Sequence, residues 1–195
     1  MNLPNKLTVS RIILAPIFLV LLLIEDVWAR VFALATFIIA ALTDLYDGYL
    51  ARRYGVSTGF GKFMDPLADK ILTSSAFIAF VALGYARVWM VLPIVVRELF
   101  ITGLRSVAAY RGVMIRPSFA AQVKTFMQMS VIVLILGYVN LRTFAGPLGW
   151  DLPWLDSPRF PVMFDYLMFA TMVITVYTGL DYLLRNASLW KGLMR

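Results

Sequence analysis

The sequence contains no cysteine and no histidine. That double absence excludes disulfide staples, thiolate zinc sites, a cysteine nucleophile and an imidazole base. Acidic residues are scarce as well, 11 against 18 lysines and arginines, which leaves a net charge of +7. Chemistry must therefore rest on a few carboxylates, on hydroxyls, or on lysine and arginine. Apolar residues are abundant: 61% of the 195 residues are hydrophobic and the mean hydropathy is +0.81, too apolar for an ordinary soluble domain of this length. The cations fall at the ends of apolar stretches rather than along one soluble face, so no nucleic-acid partner is expected. Membrane lipids of an anionic leaflet, or a phosphorylated substrate, fit the charge better.

A bilayer core about 30 Å thick takes about 20 residues of helix. Six stretches meet that criterion: Thr8–Ile24, Val31–Arg52, Lys62–Tyr85, Val88–Tyr110, Val123–Leu141 and Val162–Leu184. They lack period-two alternation, and an open sheet edge cannot be satisfied in lipid. The expectation is an all-α integral membrane protein with six transmembrane helices in a single domain, residues 1–195. Lys6 and Arg11 ahead of the Ile12–Ile24 run share the layout of a signal peptide. No small-x-small cleavage site follows, so the run reads as a retained first span. Most cations, from Lys6 and Arg11 to Lys191 and Arg195, share one set of span ends, leaving Arg30, Arg87, Arg97, Arg142 and Arg159 elsewhere. The positive-inside rule then places both termini in the cytoplasm. The segment from Arg142 to Pro161, rich in Gly and Pro and carrying Trp150 and Trp154, reads as an outward loop with interfacial anchors.

The second and third spans carry the chemistry. Asp44 and Asp47 are three apart on one helix and Asp65 and Asp69 four apart on the next, so each pair lines one helical face. A short turn between antiparallel helices can bring all four carboxylates together at the cytoplasmic interface. Four ionised aspartates beside hydrocarbon would repel and cost several kcal/mol in desolvation unless cations lay between them. Two divalent ions cancel that charge, and oxygen-only ligation selects Mg²⁺ or Mn²⁺ over zinc. Paired metals suit phosphoryl chemistry because they clamp a diphosphate and stabilise the leaving oxygen. Gly48 and Ala51 remove bulk beside the acids, where a base or ribose could approach; Gly61 could do the same or simply make the turn. A structural alternative stands beside this: Asp65 before Pro66 as a helix cap, and Asp47 paired with Arg52.

Asp44, Asp47, Gly48, Ala51, Arg52, Gly61, Asp65 and Asp69 match D-x-x-D-G-x-x-A-R, eight residues, G, three residues, D, three residues, D, without a departure over 26 residues. On that run the chain resembles the CDP-alcohol phosphotransferase family. The resemblance implies that Asp44, Asp47 and Asp65 hold metal, and that Asp69 binds metal and serves as general base. It also implies that Gly48, Ala51, Arg52 and Thr58 contact the CDP moiety, with Arg52 on the diphosphate. Asn5, Thr8 and Arg11 resemble the family's Asn-x-x-Thr-x-x-Arg segment against the nucleotide; Thr8 as a cap and Arg11 snorkelling to lipid phosphate are the bland readings.

Further along, Arg97-Glu98 lies near mid-membrane, where buried charges pair or line a cavity; a structural pair between helices is the leading expectation. Arg105, Arg116 and Lys124 can form an anion pocket for an acceptor phosphate. Leu3-Pro4-Asn5, Arg97-Glu98, Leu104-Arg105 and Val123-Lys124-Thr125 look like the family branch that uses sn-glycerol 3-phosphate, except that Ala121-Gln122 stands where Gly-Lys is usual. The implied reaction transfers a phosphatidyl group from CDP-diacylglycerol to sn-glycerol 3-phosphate, in a homodimer of a bacterial inner membrane, with the active site facing the cytoplasm. The alternatives are another acceptor (inositol phosphate, serine or phosphatidylglycerol) and, from a different class, a six-span cation transporter.

Overall fold

A computed structural model describes residues 3–54, 59–112 and 118–187, with side chains throughout except at 3–7, 44–54, 59–63 and 65. Six α-helices follow one another among these residues: α1 (Leu3–Leu23), α2 (Val27–Tyr54), α3 (Gly59–Ala82), α4 (Val88–Tyr110), α5 (Phe119–Ala145) and α6 (Arg159–Arg185). A 3-10 turn, Pro153–Asp156, interrupts the loop before α6, and no strand occurs among the described residues. Each helix contains most of one expected span, but several start earlier because hydropathy does not register caps. α2 begins after Asp26, whose carboxylate accepts the Ala29 N–H at 2.9 Å; α5 begins after Ser118, whose hydroxyl accepts the Ala121 N–H at 3.3 Å. α3 starts at Gly59 and carries Pro66 inside it, so Asp65 is an interior helical residue and the capping alternative is overturned.

α1 packs on α2 and α3, α3 on α4, α4 on α6 and α6 on α5, and α5 returns to α2 and α3. The α1–α2–α3 contact is built from small residues, Ala15, Ala33, Ala40, Ala76 and Ala79, all buried, which lets the backbones approach. Phe18 and Phe37 fill the remaining space with ring centroids 5.3 Å apart. Arg11 is 1% exposed, which overturns the snorkelling reading: α1 turns it into the bundle.

At the end of the bundle where α3 gives way to α4, Gly84 takes φ +79°. Its N–H reaches Val81 O at 3.1 Å and the Tyr85 N–H reaches Phe80 O at 2.8 Å, a helix stop that only a residue without Cβ makes cheaply. The stop delivers Tyr85 to a cluster with Tyr138 and Phe164, whose rings meet edge-on at 5.1–6.0 Å. Tyr138 also donates to Leu155 O at 2.8 Å and so ties the 3-10 turn to α5. Tyr138→Phe is expected to lower unfolding stability by about 1 kcal/mol, the worth of one buried hydrogen bond, measured as the thermal midpoint in detergent. Arg142 pairs with Asp156 at 3.0 Å and Arg87 with Asp165 at 2.7 Å at this same end, and Arg30 meets Thr143. These cations are among those that the sequence set apart from the majority.

The outward surface is apolar along the helices, with Ile17, Phe32, Ile39, Leu92, Phe100 and Val133 all exposed. α5 and α6 are each long and apolar enough to cross a membrane, and shorter apolar helical stretches run over Thr8–Leu23 and Val27–Thr43.

Candidate active site

α6 presents a polar stripe inward. Phe164, Met168, Thr171, Thr175, Thr178 and Gly179 are its buried residues, spaced at three, four and seven as one helical face requires. Thr171 and Thr178 satisfy their hydroxyls by donating to Leu167 O at 2.7 Å and Ile174 O at 2.9 Å. Across from this stripe, α4 turns Glu98 inward and α5 turns Lys124 and Gln128 inward, all three buried.

Between α3, α4, α5 and α6, at the end opposite the aromatic cluster, lies a cavity of about 420 Å³. Lys70, Arg97, Arg105, Lys124 and Arg185 line it, against two carboxylates, Glu98 and Asp181. Glu98 is the hub. Its Oε1 accepts from Arg97 Nη1 at 2.9 Å, from Lys124 Nζ, and from Gln128 Nε2 at 3.5 Å, while Oε2 lies 3.7 Å from Lys70 Nζ. Gln128 also donates to Thr175 at 3.3 Å and Arg97 Nη2 to Thr178 at 3.2 Å, so four helices are tied to one carboxylate. One anion shared by three cations leaves positive charge over. A low-dielectric wall with surplus cations is a site for an anion and repels a cation in transit, which counts against the transporter alternative.

Lys70 connects this cavity to the aspartate motif, because its Nζ also pairs with Asp69 Oδ2 at 2.9 Å. Asp69 is only partly exposed. The first two turns of α5, including Ala121, Gln122 and Thr125, complete the wall. Gln122 thus occupies the place of the usual lysine, and Arg97 and Lys70, reaching in from α4 and α3, bring positive charge to the same space.

The expected site residues divide by position. Arg105 and Lys124 line the cavity, and Asp69 is tied to it through Lys70. Arg97 and Glu98 pair with each other on α4 and line the cavity too, while the expected pairing between helices is made by Glu98 with Lys124 and Lys70. Thr8 is fully buried on α1. The side chains of Asn5, Asp44, Asp47, Gly48, Ala51, Arg52, Gly61 and Asp65, and all of Thr58 and Arg116, lie outside the described residues. Sequence reasoning missed Lys70 and Arg185 as cavity cations. A signal existed for Arg185, four residues after Asp181 and so on the same helical face; Lys70 is placed there only by the packing of α3 against α4.

The residues present suit a hard divalent ion. Asp44 and Asp47 lie on α2, Asp65 and Asp69 on α3, and those two helices touch. The donor set is carboxylate alone, with no imidazole or thiolate anywhere in the chain to divert a softer metal. Asp69 engages Lys70 through Oδ2 at 2.9 Å and has a second oxygen for a ligand.

Fold and site together define a class: an all-helical bundle, among the described residues, with a cation-lined basin whose Lys70 also holds Asp69. The chain belongs to the CDP-alcohol phosphatidyltransferase family, whose sequence profile matches residues 1–177. It is 37% identical, over 98% of its length and 97% of the relative's, to the CDP-diacylglycerol–glycerol-3-phosphate 3-phosphatidyltransferase of Bacillus subtilis. A probable phosphatidylglycerophosphate synthase of Mycobacterium tuberculosis is 39% identical over 94% of this chain and 81% of its own. The Salmonella paratyphi A CDP-diacylglycerol–glycerol-3-phosphate 3-phosphatidyltransferase is 34% identical over 93% of both chains.

Proposed function

We propose that the protein transfers the phosphatidyl group of CDP-diacylglycerol to sn-glycerol 3-phosphate, giving phosphatidylglycerophosphate and CMP for phospholipid synthesis. One observation carries this: a cavity with surplus positive charge whose Lys70 is shared with Asp69, so that an acceptor phosphate held there has its hydroxyl end near the aspartate motif. The names of relatives matched over nearly the whole chain point to the same acceptor.

In this reading Arg105, Arg116 and Lys124 bind the acceptor phosphate, with Arg97 and Lys70 beside them. Asp69 takes the proton of the 1-hydroxyl as that oxygen bonds to the β-phosphorus, and the P–O bond to CMP breaks. Asp44, Asp47, Asp65 and Asp69 would hold two Mg²⁺ or Mn²⁺ ions, which supply charge neutralisation for the diphosphate and the departing CMP. Asn5, Thr8, Gly48, Ala51, Arg52, Thr58 and Gly61 face the CDP-lipid. The chain is one domain with six membrane spans, both termini and the cavity on the cytoplasmic side of a bacterial inner membrane, where nucleotide and glycerol phosphate are made. It works as a homodimer.

The test is CMP release by purified protein given CDP-diacylglycerol with glycerol 3-phosphate, inositol phosphate, serine or phosphatidylglycerol, with and without Mg²⁺ or Mn²⁺. Glycerol 3-phosphate with metal is expected to give the highest kcat/KM; preference for another acceptor overturns the assignment. Arg105→Ala is expected to raise KM for glycerol 3-phosphate about tenfold, the loss of one charged hydrogen bond, and to leave KM for CDP-diacylglycerol within about twofold. Equal rises in both would remove Arg105 from the phosphate pocket.

A further inference from the structure

Gly179 sits on the buried face of α6, and the side chain of Arg97 crosses directly over it. A Cβ at this position would lie 2.8 Å from Arg97 Cγ and 3.0 Å from its Nε, closer than side chains pack. At Gly84, Gly103, Gly112, Gly137, Gly146 and Gly149 a Cβ would meet nothing within 4 Å, so Gly179 alone among these described glycines is bare for the sake of a neighbour. Glycine is the poorest helix former after proline, so a bare position inside a helix costs stability, and at Gly179 the Arg97 stem accounts for it.

Arg97 has little room to yield. The clash falls on the middle of its stem rather than on a free tip. Its Nη1 is bonded to Glu98 at 2.9 Å and its Nη2 to Thr178 at 3.2 Å, and among the described residues its Nε is buried with no hydrogen-bond partner. Any side chain at 179 would lift the stem off α6 and move the guanidinium away from both anchors.

We propose that Gly179 is a positioning residue for acceptor binding: by carrying no side chain it lets Arg97 lie flat on α6, and Thr178 and Glu98 then fix the guanidinium at the cavity wall where it binds the acceptor's phosphate. This rests on the reading that the cavity holds that phosphate. The work of Gly179 is done wholly through Arg97, which makes it testable by coupling rather than by loss alone.

Gly179→Ala in the purified full chain is expected to raise KM for glycerol 3-phosphate about tenfold while kcat and KM for CDP-diacylglycerol stay within about twofold. In an Arg97→Ala background the same change should add no more than about twofold, because the partner through which it acts is gone. An unchanged KM in the single variant, or a full additive loss in the double, overturns the proposal. Should Gly179→Ala fail to fold, Thr178→Val removes the other anchor without adding bulk and is expected to raise the same KM about threefold; no rise overturns it. A binding readout separates this from the function itself: inorganic phosphate and glycerol 3-phosphate should raise the thermal midpoint of Gly179→Ala only at about tenfold higher concentration than that of the wild type. If that difference appears in a protein that makes no phosphatidylglycerophosphate, the positioning role stands and the proposed reaction falls. If both proteins respond alike while turnover is intact, the reverse holds.

Discussion

Replacing Asp69 with asparagine is expected to lower kcat about 10³-fold, within the span that general bases contribute, while CDP-diacylglycerol still binds. The substitution keeps shape and one carbonyl oxygen, so a metal or a lysine can still be contacted there. What it removes is the ability to accept the hydroxyl proton, a step no histidine or cysteine in this chain can take over. Its contact with Lys70, 2.9 Å long, changes from an ion pair to an ammonium–amide hydrogen bond and weakens, a smaller effect that falls on ground state and transition state alike. The two contributions separate in the data: loss of the base lowers kcat, and loss of the ion pair raises KM. The measurement is CMP release at saturating concentrations of both substrates, with lipid binding followed independently on the same protein. A kcat within tenfold of wild type would take Asp69 out of the role of proton acceptor.

The parts of this structure that were legible in the sequence are those governed by local rules. Apolar runs long enough to form spans became helices, because every backbone group in such a run is satisfied within its own segment. Helix ends escaped detection where a single side chain decides them, as Asp26 and Ser118 do. That Glu98 would pair across helices was anticipated because a buried charge needs a partner within reach. That Lys70 and Lys124 would be the partners, both on one carboxylate, was not, because it depends on how the helices sit against one another. Arg11 shows the same limit: its place at the start of an apolar run suggested escape to lipid phosphate, and packing of α1 on α2 and α3 turned it inward instead. Gly179 was invisible for the opposite reason, since an absent side chain carries no pattern until its neighbour is seen.

Glu98→Leu is expected to destabilise the fold by about 3–5 kcal/mol, the cost of stranding buried charge by removing one member of a pair. Glu98 and Lys124 are 3% and 2% exposed, so water cannot take over the solvation that the carboxylate now provides. Asp181 cannot substitute from α6, because it is engaged with Arg185 at 2.7 Å. Glu98→Gln, which keeps an acceptor for the lysine but gives up the charge, should cost markedly less. Replacing the most buried pair with Glu98→Leu and Lys124→Met should recover part of the lost stability, because the Lys124 ammonium is no longer stranded, while Arg97 and Lys70 keep Thr178 and Asp69 as partners. That double variant should nonetheless have very weak affinity for glycerol 3-phosphate, having lost a phosphate ligand and the carboxylate that aligns the others. Thermal unfolding in detergent reads the first effect and KM the second. A double variant that regains stability but not acceptor binding would show that the charge network is maintained for the substrate and not for the fold; one as unstable as Glu98→Leu alone would mean that packing around the carboxylate, rather than its charge, holds these four helices together.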